Sequence, residues 1–481
     1  MLKNIKSLTK QSAVYGVGHI LSRSVGFLLL PIHTRFLQPV DYGIVSLLFS
    51  SLAILNVVFT YGMDAAFLRF FVLGEAKVEK QRVFSTANWM IFCTGVLFSA
   101  ILFFNPSFFS RLIFMESGYT RLVRMASGIV FADALSLLPF LVLRGEEKAV
   151  QFVLLKAVNI LVTVGLNVLF VVVLKKGVEG VFMSNLIASV CTVLTVFPIF
   201  IRWFRLRFKR DILNELLRFG LPYIPAGLAM VIMDQISRFF LDRMLGREAN
   251  AIFSASYKLG MFMSLVVAAF RFAWHPFFLS TSKKNNAPEI FARVLTYFTF
   301  VTGILFLLVS GWIHEIMAFR IFGLQIVGRN FENGAPIVPV VLISYIAYGF
   351  YIHFMVGIYL KKKTHYLPFV TGAGALVSIG ANAILIPLLG IMGAAWATFL
   401  GYATMAIALY VSTRSLYPIP YEWMRIAKLI LLFGLMFLLF SVVHSPWLKL
   451  GMLLASPAVL GIAGFLNEQE KGFLRRAIRA A

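Results

Sequence analysis

The sequence is poor in charge and poorer still in acid. Only 13% of its 481 residues are charged, and 20 acidic residues stand against 44 Lys and Arg. A soluble chain carries about a quarter charged residues, whereas 60% of this chain is apolar and its mean hydropathy is +0.87. A bilayer accommodates such apolar runs, since each crosses the hydrocarbon core as a helix. The composition excludes a soluble enzyme and predicts an all-α polytopic membrane protein.

Cysteine is nearly absent as well. Cys93 and Cys191 are the only two, and both lie in apolar runs, so we expect no disulfide and no metal site. The sequence also lacks a phosphate-binding loop of the Gly-x-x-x-x-Gly-Lys-Ser/Thr type and a Gly-x-Ser-x-Gly elbow. We therefore expect no ATP site, no cofactor and no catalytic residues. No small-residue cleavage site follows the first apolar run, which we expect to remain as a span.

About fourteen apolar runs are long enough to span the membrane. They are numbered here as spans 1 to 14, at residues 12–36, 43–71, 84–104, 122–143, 152–174, 178–201, 218–242, 249–274, 291–313, 337–360, 366–389, 391–413, 426–444 and 446–465. The connections between them are short and leave no room for a large soluble domain.

The basic residues are distributed unevenly between the two sides. With both termini placed inside, 27 of the 44 Lys and Arg lie in inner segments, 11 in outer segments and six within spans. This asymmetry predicts cytoplasmic termini. It also accounts for most of the net charge of +24 without nucleic acid as a partner.

The chain contains an internal repeat. Residues 35–46 follow span 1 and residues 243–254 follow span 7, and Arg, Leu, Ile and Ser recur between them at an offset of 208. Asn167 with 177–180 resembles Asn382 with 390–393 at offsets of 215 and 213. Spans 1–6 and 7–12 are therefore predicted to be two copies of a six-helix bundle in parallel orientation, as in many transporters.

Four domains follow from the repeat. We expect an N-terminal bundle at 1–201, a basic amphipathic linker at 202–217, a C-terminal bundle at 218–413, and spans 13 and 14 with a basic cytoplasmic tail at 414–481. The linker is basic and aromatic, which is typical of a helix that lies on anionic lipid.

The N-terminal residues resemble a known family. The stretch Tyr15-Gly-Val-Gly-His-Ile-Leu-Ser-Arg-Ser-Val-Gly-Phe27, followed by residues 30–43, is similar to the opening of polysaccharide exporters. These belong to the multidrug/oligosaccharidyl-lipid/polysaccharide (MOP) export superfamily. Residues 65–71 and 272–278 and the twelve-plus-two span count also fit, so the resemblance covers nearly the whole chain.

The resemblance implies an inner-membrane flippase. Its substrate would be a polyprenyl-diphosphate-linked oligosaccharide, carried outward for O-antigen, capsule or exopolysaccharide assembly. The implied partners are this glycan lipid, membrane lipids and polysaccharide polymerase or assembly proteins. Proton or sodium coupling, or consumption of the product outside, would drive the motion.

Three alternatives stay open. Lipid II flippases share Ser22-Arg23 and Gly26-Phe27, but they continue with Arg-Asp where this chain has Leu29-Leu30. Drug or cation antiporters of the superfamily usually have twelve spans. A membrane-embedded glycan polymerase or ligase belongs to another class, and it would be expected to carry a sizeable outer domain with acid/base residues.

Ionisable residues inside spans are the candidate substrate ligands, because a charge in the membrane is costly. Arg23 is deep in span 1, and a guanidinium binds phosphate oxygens through two hydrogen bonds. Arg238, Lys258 and Arg271 are further candidate cations. The predicted substrate-binding residues are Arg23, His19, Asn56, Asp64, Arg238, Lys258 and Arg271.

Each candidate also has a structural interpretation. Asn56, Thr60 and Asp64 recur every four residues and are predicted to form a polar stripe on span 2. Asp64 and Asp234 are candidate coupling sites. Asp234, Arg238 and Asp242 share a face of span 7, so an internal Asp–Arg pair is an alternative to substrate binding. Asp133 and Lys156 are expected to neutralise each other, and anchoring of the end of span 8 is the alternative role of Arg271.

Overall fold

The computed structural model describes residues 25–321, 323–361, 363–443 and 445–462. Within them, twelve helices are long and apolar enough to cross a membrane. They are Pro39–Thr60, Lys77–Phe104, Thr120–Gly145, Ala149–Val173, Gly177–Trp203, Arg210–Leu245, Arg247–Thr281, Ala287–Gly311, Ile337–Leu360, Leu367–Leu389, Ile391–Thr413 and Trp423–Val442, and they correspond to spans 2 to 13. Two shorter helices, Val25–Phe36 and Pro446–Ile462, lie where spans 1 and 14 are predicted. The all-α membrane fold is confirmed.

Several spans are interrupted. Span 5 is α-helical over Ala149–Asn167 and ends as a π-helix at Val168–Val173. Span 7 is the helix Ile224–Leu245, preceded by the helix Arg210–Gly220 and the 3-10 turn Leu221–Tyr223. Span 8 divides at Met261 into Arg247–Gly260 and Phe262–Thr281.

The remaining elements are short. They comprise the helices Met63–Leu73, Pro106–Phe114 and Ile313–Ala318 and the 3-10 turns Arg329–Gly334 and Thr364–Tyr366. One antiparallel hairpin pairs β1 (Arg320–Ile321) with β2 (Leu324–Gln325), with Arg320 opposite Gln325. This hairpin lies in the connection between spans 9 and 10.

Span 2 is not the single helix that the sequence predicts. It ends as a helix at Thr60, and a second helix, Met63–Leu73, begins after Tyr61 and Gly62, which both adopt left-handed backbone conformations. Glycine adopts such a conformation at little cost, which explains why the helix breaks there. Asn56, Thr60 and Asp64 therefore do not form one continuous helical stripe, because the break separates Asp64 from the other two.

The repeat is visible in the structure. Gly177 and Gly390 both have positive φ and both mark the start of a span. Three residues later, Gly180 and Gly393 pass so close to the backbone of the preceding helix that a Cβ would crowd it. Asn167 and Asn382 are both fully buried, and each donates a side-chain hydrogen bond to the carbonyl four residues earlier, at 2.8 and 2.7 Å.

Spans 13 and 14 lie outside the two bundles. Span 13 packs on span 9, where the rings of Phe433 and Phe440 fill the notches left by Gly303 and Gly311. Lys449 of span 14 donates a 2.7 Å hydrogen bond to the carbonyl of Gly311. Glycine allows this close approach because any side chain on span 9 would occupy the volume of the two rings.

Candidate functional site

A large cavity separates the two halves of the repeat. Its volume is about 1150 Å³. Spans 2, 4, 5 and 6 form one wall, and spans 7, 8, 10 and 11 form the other. Facing walls from two parallel repeats are the usual position of a transporter's substrate site.

The two halves meet directly at the predicted outer end of the cavity. Ser46 of span 2 and Ser254 of span 8 are hydrogen-bonded through their hydroxyls at 2.6 Å. These serines are 208 residues apart, which is the offset of the sequence repeat. Equivalent residues of two copies can touch only near the axis that relates the copies, so the pseudo-twofold axis passes between them. Asn250 adds a 3.2 Å hydrogen bond from its side-chain amide to the carbonyl of Gly43.

Arg247, the first residue of the span 8 helix, reinforces this closure. Its guanidinium forms a 3.0 Å ion pair with Glu116 and donates to the carbonyl of Phe114 at 3.2 Å. It also donates to the hydroxyl of Tyr119 and lies over that ring. A side chain of the C-terminal half therefore contacts residues 114–119, the last part of the connection between spans 3 and 4 of the N-terminal half.

The opposite end of the cavity is lined by residues at helix ends. Arg144 and Tyr359 come from the last turns of spans 4 and 10, whereas Leu367 and Ile224 come from the first turns of spans 11 and 7. All four ends are on the side that the basic residues predict to be cytoplasmic. The cavity therefore approaches that side and is closed at the other.

The N-terminal wall is polar. Asn159, Thr163, Asn185 and Thr192 contribute amides and hydroxyls, and Asn159 donates to Thr192 at 2.6 Å. Asp133 accepts a 2.7 Å hydrogen bond from the hydroxyl of Ser189. Lys156 extends over the ring of Phe140, with its ammonium nitrogen 4.0 Å from the ring centroid.

The C-terminal wall is aromatic. Four tyrosines line it: Tyr223, Tyr348, Tyr351 and Tyr359. The rings of Tyr348 and Tyr351 stack at 5.9 Å, and Tyr359 lies 5.3 Å from the imidazole of His275. Arg271 lies one helical turn before His275 and supplies the positive charge of this wall. Tyrosine combines a flat apolar face with a hydroxyl, a combination that suits contact with a polyhydroxylated ligand.

Three cations line the cavity without a carboxylate in direct contact. Arg144, Lys156 and Arg271 form no ion pair among the described residues. Asp133 is near enough to attract Lys156, but its carboxylate is bonded to Ser189. The expected mutual neutralisation of Asp133 and Lys156 is therefore not a direct ion pair. Unpaired cations in a membrane-embedded cavity favour an anionic ligand.

The predicted substrate ligands have different positions. Asp64 and Arg271 line the cavity. Asn56, Arg238 and Lys258 are not among its lining residues, and Lys258 instead extends over the ring of Tyr42, at 5.3 Å, near the closed end. His19 and Arg23 lie outside the described residues. The role of all seven in substrate binding stays a prediction.

Asp234 belongs to a cluster of tyrosines in the C-terminal half. One carboxylate oxygen accepts hydrogen bonds from Tyr257 at 3.4 Å, Tyr345 at 3.2 Å and Tyr402. Arg238 donates to the backbone carbonyl of Asp234 and lies over the ring of Tyr257, at 4.8 Å. The Asp–Arg contact expected from their spacing is thus made through the backbone, while tyrosines hold the carboxylate.

Sequence reasoning missed part of the cavity. Arg144 lines the open end, although the sequence predicts that span 4 ends at residue 143 and leaves Arg144 in the inner connection. The cavity face of span 5 had a detectable signal, because Lys156, Asn159 and Thr163 recur at helical spacing in an otherwise apolar segment. The tyrosines had no such signal, since aromatic residues near span ends are also typical membrane anchors.

The sequence matches the model of a known family over residues 8–282, described as polysaccharide biosynthesis protein. The chain belongs to this family. No curated protein sequence matches the chain.

Solved structures of MOP superfamily transporters have the same fold as this chain. A lipid II flippase, MurJ, in an inward closed conformation is 14% identical, with a TM-score of 0.72, and the match covers 97% of this chain and 99% of that one. An inward-facing multidrug resistance MATE transporter is 16% identical, with a TM-score of 0.65, covering 85% and 95%. A MOP superfamily transporter from Pyrococcus furiosus, whose binding pocket has reversed polarity, is 17% identical, with a TM-score of 0.59, covering 88% and 96%. At these identities the likeness establishes the fold.

Proposed function

We propose that the protein is a flippase that moves a polyprenyl-diphosphate-linked oligosaccharide across the inner membrane for surface polysaccharide assembly. The observation that carries the proposal is the cavity between the halves, where Arg144, Lys156 and Arg271 have no direct carboxylate partner in the part of the chain that the structure describes. A diphosphate supplies the anion that these cations lack. Membership of a polysaccharide biosynthesis family supports a glycan as the rest of the substrate.

Both walls suit the sugar part of this substrate. Amide and hydroxyl groups of the N-terminal wall can exchange hydrogen bonds with sugar hydroxyls, and the tyrosine rings opposite can pack on sugar faces. The polyprenyl tail stays in the lipid, since transfer of an apolar chain from lipid to a cavity lined by polar groups is not favourable. Transport then requires the contacts at Ser46, Arg247 and Asn250 to open while the other end closes.

The cytoplasmic side is assigned from the charge count. With both termini inside, the cavity opens toward the cytoplasm, where lipid-linked glycans are built, and is closed toward the outside. The proposed substrate would therefore enter the conformation described here directly. Cysteine labelling from each side of the membrane at Ser282→Cys and Ser117→Cys, in a Cys93→Ser/Cys191→Ser background, tests this orientation.

Coupling to a proton or sodium gradient is part of the proposal. Asp234 is the first candidate, because three tyrosine hydroxyls donate hydrogen bonds to its carboxylate. Asp64 is the second, since it faces the cavity. Flipping measured in proteoliposomes under a pH gradient or a sodium gradient distinguishes the two ions. Asp234→Asn should abolish the stimulation by the effective gradient and leave downhill flipping intact.

The decisive experiment is deletion in the native host, followed by mass spectrometry of polyprenyl-diphosphate-linked glycans. We expect complete repeat units to accumulate, shielded from an external glycosidase, while the surface polysaccharide is lost. Units exposed outside would instead indicate a polymerase or ligase. Accumulation of lipid II would indicate the peptidoglycan substrate, and an unchanged glycan pool with altered drug susceptibility would indicate an antiporter.

A further inference from the structure

A second pocket lies in the N-terminal half, and none of its lining residues lines the central cavity. Its volume is about 270 Å³, and spans 3, 4 and 6 line it. Nine of its ten lining residues are apolar or aromatic: Trp89, Phe92, Leu135, Pro139, Val193, Val196, Phe197, Phe200 and Phe204. The tenth, Asn88, already donates its amide to the carbonyl of Phe84 at 3.1 Å. The surface of the pocket is thus almost entirely apolar, which disfavours a water-soluble ligand.

The pocket lies in one leaflet and opens toward lipid. It extends along span 6 from Val193 to Phe204, about 16 Å at 1.5 Å per residue, or half of a ~30 Å hydrocarbon core. Phe204 is at the inner end of the span, so the pocket occupies the inner half. Phe92 and Phe197 at its rim are 44% and 48% exposed. A hydrocarbon chain of the inner leaflet therefore has direct access.

A group of basic side chains surrounds the inner end of the pocket. Arg202, Arg205, Arg207, Lys209 and Arg210 are all exposed there. The backbone of this segment is fixed on span 3, since the amides of Arg205 and Lys209 donate to Ser85 at 2.8 Å and Thr86 at 3.3 Å.

Arg205 directly adjoins a residue that lines the pocket. Its Nη1 donates at 2.7 Å to the carbonyl of Phe204, whose ring lines the pocket and stacks on Phe200 at 4.6 Å. Its Nε and Nη2 make no hydrogen bond with other described residues, so they remain available to a ligand.

We propose that this pocket binds an acyl chain of an anionic glycerophospholipid, with the phosphate held by Arg205 and its basic neighbours. An apolar slot that reaches from the membrane surface to mid-bilayer fits the chain, and a cationic mouth fits the headgroup. A zwitterionic lipid offers the same chain but less attraction. Charge complementarity therefore selects the anionic lipid as the occupant.

The lipid would contact spans 4 and 6 on the side that faces away from the central cavity. Leu135 and Pro139 of span 4 face the pocket, while Asp133 and Ser136 of the same span face the cavity. Span 6 likewise has Val193 on the pocket side and Ser189 on the cavity side. A bound chain would fill the space behind the helices that carry Asp133 and Ser189, so it would support the N-terminal wall.

Quenching of Trp89 fluorescence tests the proposal. The full chain is placed in phosphatidylcholine nanodiscs. In one series, increasing fractions of brominated phosphatidylglycerol are added, and in the other, increasing fractions of brominated phosphatidylcholine. The Trp89 signal is the difference between the native protein and Trp89→Phe, because the chain has seven tryptophans. We expect half-maximal quenching at roughly fivefold lower mole fraction for the anionic lipid, since each basic residue near the surface contributes about 1 kcal/mol.

Two pairs of variants complete the test. Arg205→Gln should reduce the preference for the anionic lipid, whereas Arg111→Gln, an exposed arginine between spans 3 and 4, should leave it unchanged. Val193→Phe should fill the pocket and weaken quenching by both lipids, whereas Leu194→Phe, 64% exposed on the same span, should not. Thermal unfolding confirms that each variant is folded.

Two results would overturn the proposal. Equal quenching by the two brominated lipids would show that charge does not select the occupant. Displacement of brominated phosphatidylglycerol by polyprenyl phosphate, but not by ordinary phosphatidylglycerol, would assign the pocket to the tail of the transported lipid. Neither result bears on the deletion experiment for transport, so the two proposals fail independently.

Discussion

The two halves of the molecule share one plan but present different chemistry to the cavity. The N-terminal wall offers amides, hydroxyls, Asp133 and Lys156, whereas the C-terminal wall offers tyrosines, His275 and Arg271. Because the repeat gives the two walls a common helix arrangement, this difference comes mainly from the side chains. A symmetric scaffold therefore suits a substrate that is itself asymmetric, with a charged end and a polyhydroxylated body.

The second span of each half also differs. Span 2 breaks at two residues with left-handed backbone, Tyr61 and Gly62, whereas its counterpart span 8 is interrupted only at Met261, which keeps a right-handed conformation. At the break, Gly62 packs so closely on Gly220, ahead of span 7, that a Cβ would overlap its carbonyl oxygen. The N-terminal break is thus the point where span 2 meets the connection between the halves.

The largest effect is expected from Gly62→Val. A β-branched residue with φ of +74° is strained, and its side chain would collide with Gly220. Strain of about 1–2 kcal/mol and overpacking of about 1–3 kcal/mol together destabilise the folded chain by roughly 2–5 kcal/mol. Yield of monodisperse protein and the thermal unfolding midpoint measure this. Met261→Val in span 8 is the matched control, and equal behaviour of the two variants would contradict the asymmetry of the breaks.

A loss of transport is expected from Lys156→Glu, which reverses the charge of the N-terminal wall. A hydrogen bond to a charged group contributes about 1.5–3 kcal/mol, so flipping should fall roughly 10- to 100-fold. Fluorescent lipid-linked glycan in proteoliposomes gives the rate. Lys175→Glu, an exposed lysine between spans 5 and 6, should leave the rate unchanged. Native-like flipping by Lys156→Glu would remove this residue from the proposed site.

The sequence predicts the architecture well and the walls of the cavity poorly. Span positions and the repeat follow from hydrophobic periodicity and glycine placement, which act locally along the chain. The meeting of Ser46 with Ser254 was implicit in the offset of 208, but no local pattern indicates that equivalent residues lie on the axis. Lys156 and Arg144 reach the cavity because spans 4 and 5 pack in a particular rotation, and tertiary contacts set that rotation.

The break in span 2 also could not be predicted from the sequence. Thr60 and Asp64 are separated by four residues, a spacing that fits an uninterrupted helix. The helix breaks at Tyr61-Gly62 because the close contact with Gly220 stabilises the left-handed backbone there. This contact joins residues that are far apart in the chain. Periodicity alone cannot report such a contact.

A smaller effect is expected from Tyr359→Leu on the C-terminal wall. The substitution keeps apolar bulk but removes a ring that contacts His275 and faces the cavity. Aromatic contacts contribute about 0.5–1.5 kcal/mol beyond their buried area, so the apparent affinity for the glycan lipid should weaken roughly two- to tenfold. Concentration-dependent flipping separates this effect from a change in maximal rate. Phe369→Leu, whose ring is 77% exposed on span 11, is the control, and an equal loss there would argue against sugar contact by Tyr359.

The smallest effect is expected from His33→Leu, which makes the N-terminal half resemble the C-terminal half. His33 bonds Asn167 at 2.9 Å, whereas the position 208 residues later is Leu241 and the side-chain oxygen of Asn382 has no hydrogen-bond partner among the described residues. Since the fold tolerates this arrangement once, the substitution should cost about 1 kcal/mol, the low end for an unsatisfied buried polar group. Chemical unfolding of His33→Leu, Asn167→Leu and His33→Leu/Asn167→Leu measures the coupling. The double variant should recover part of the loss of His33→Leu, because it removes the amide oxygen left without a partner. If the double variant instead loses the sum of both single effects, the His33–Asn167 bond is not what distinguishes the two halves at this position.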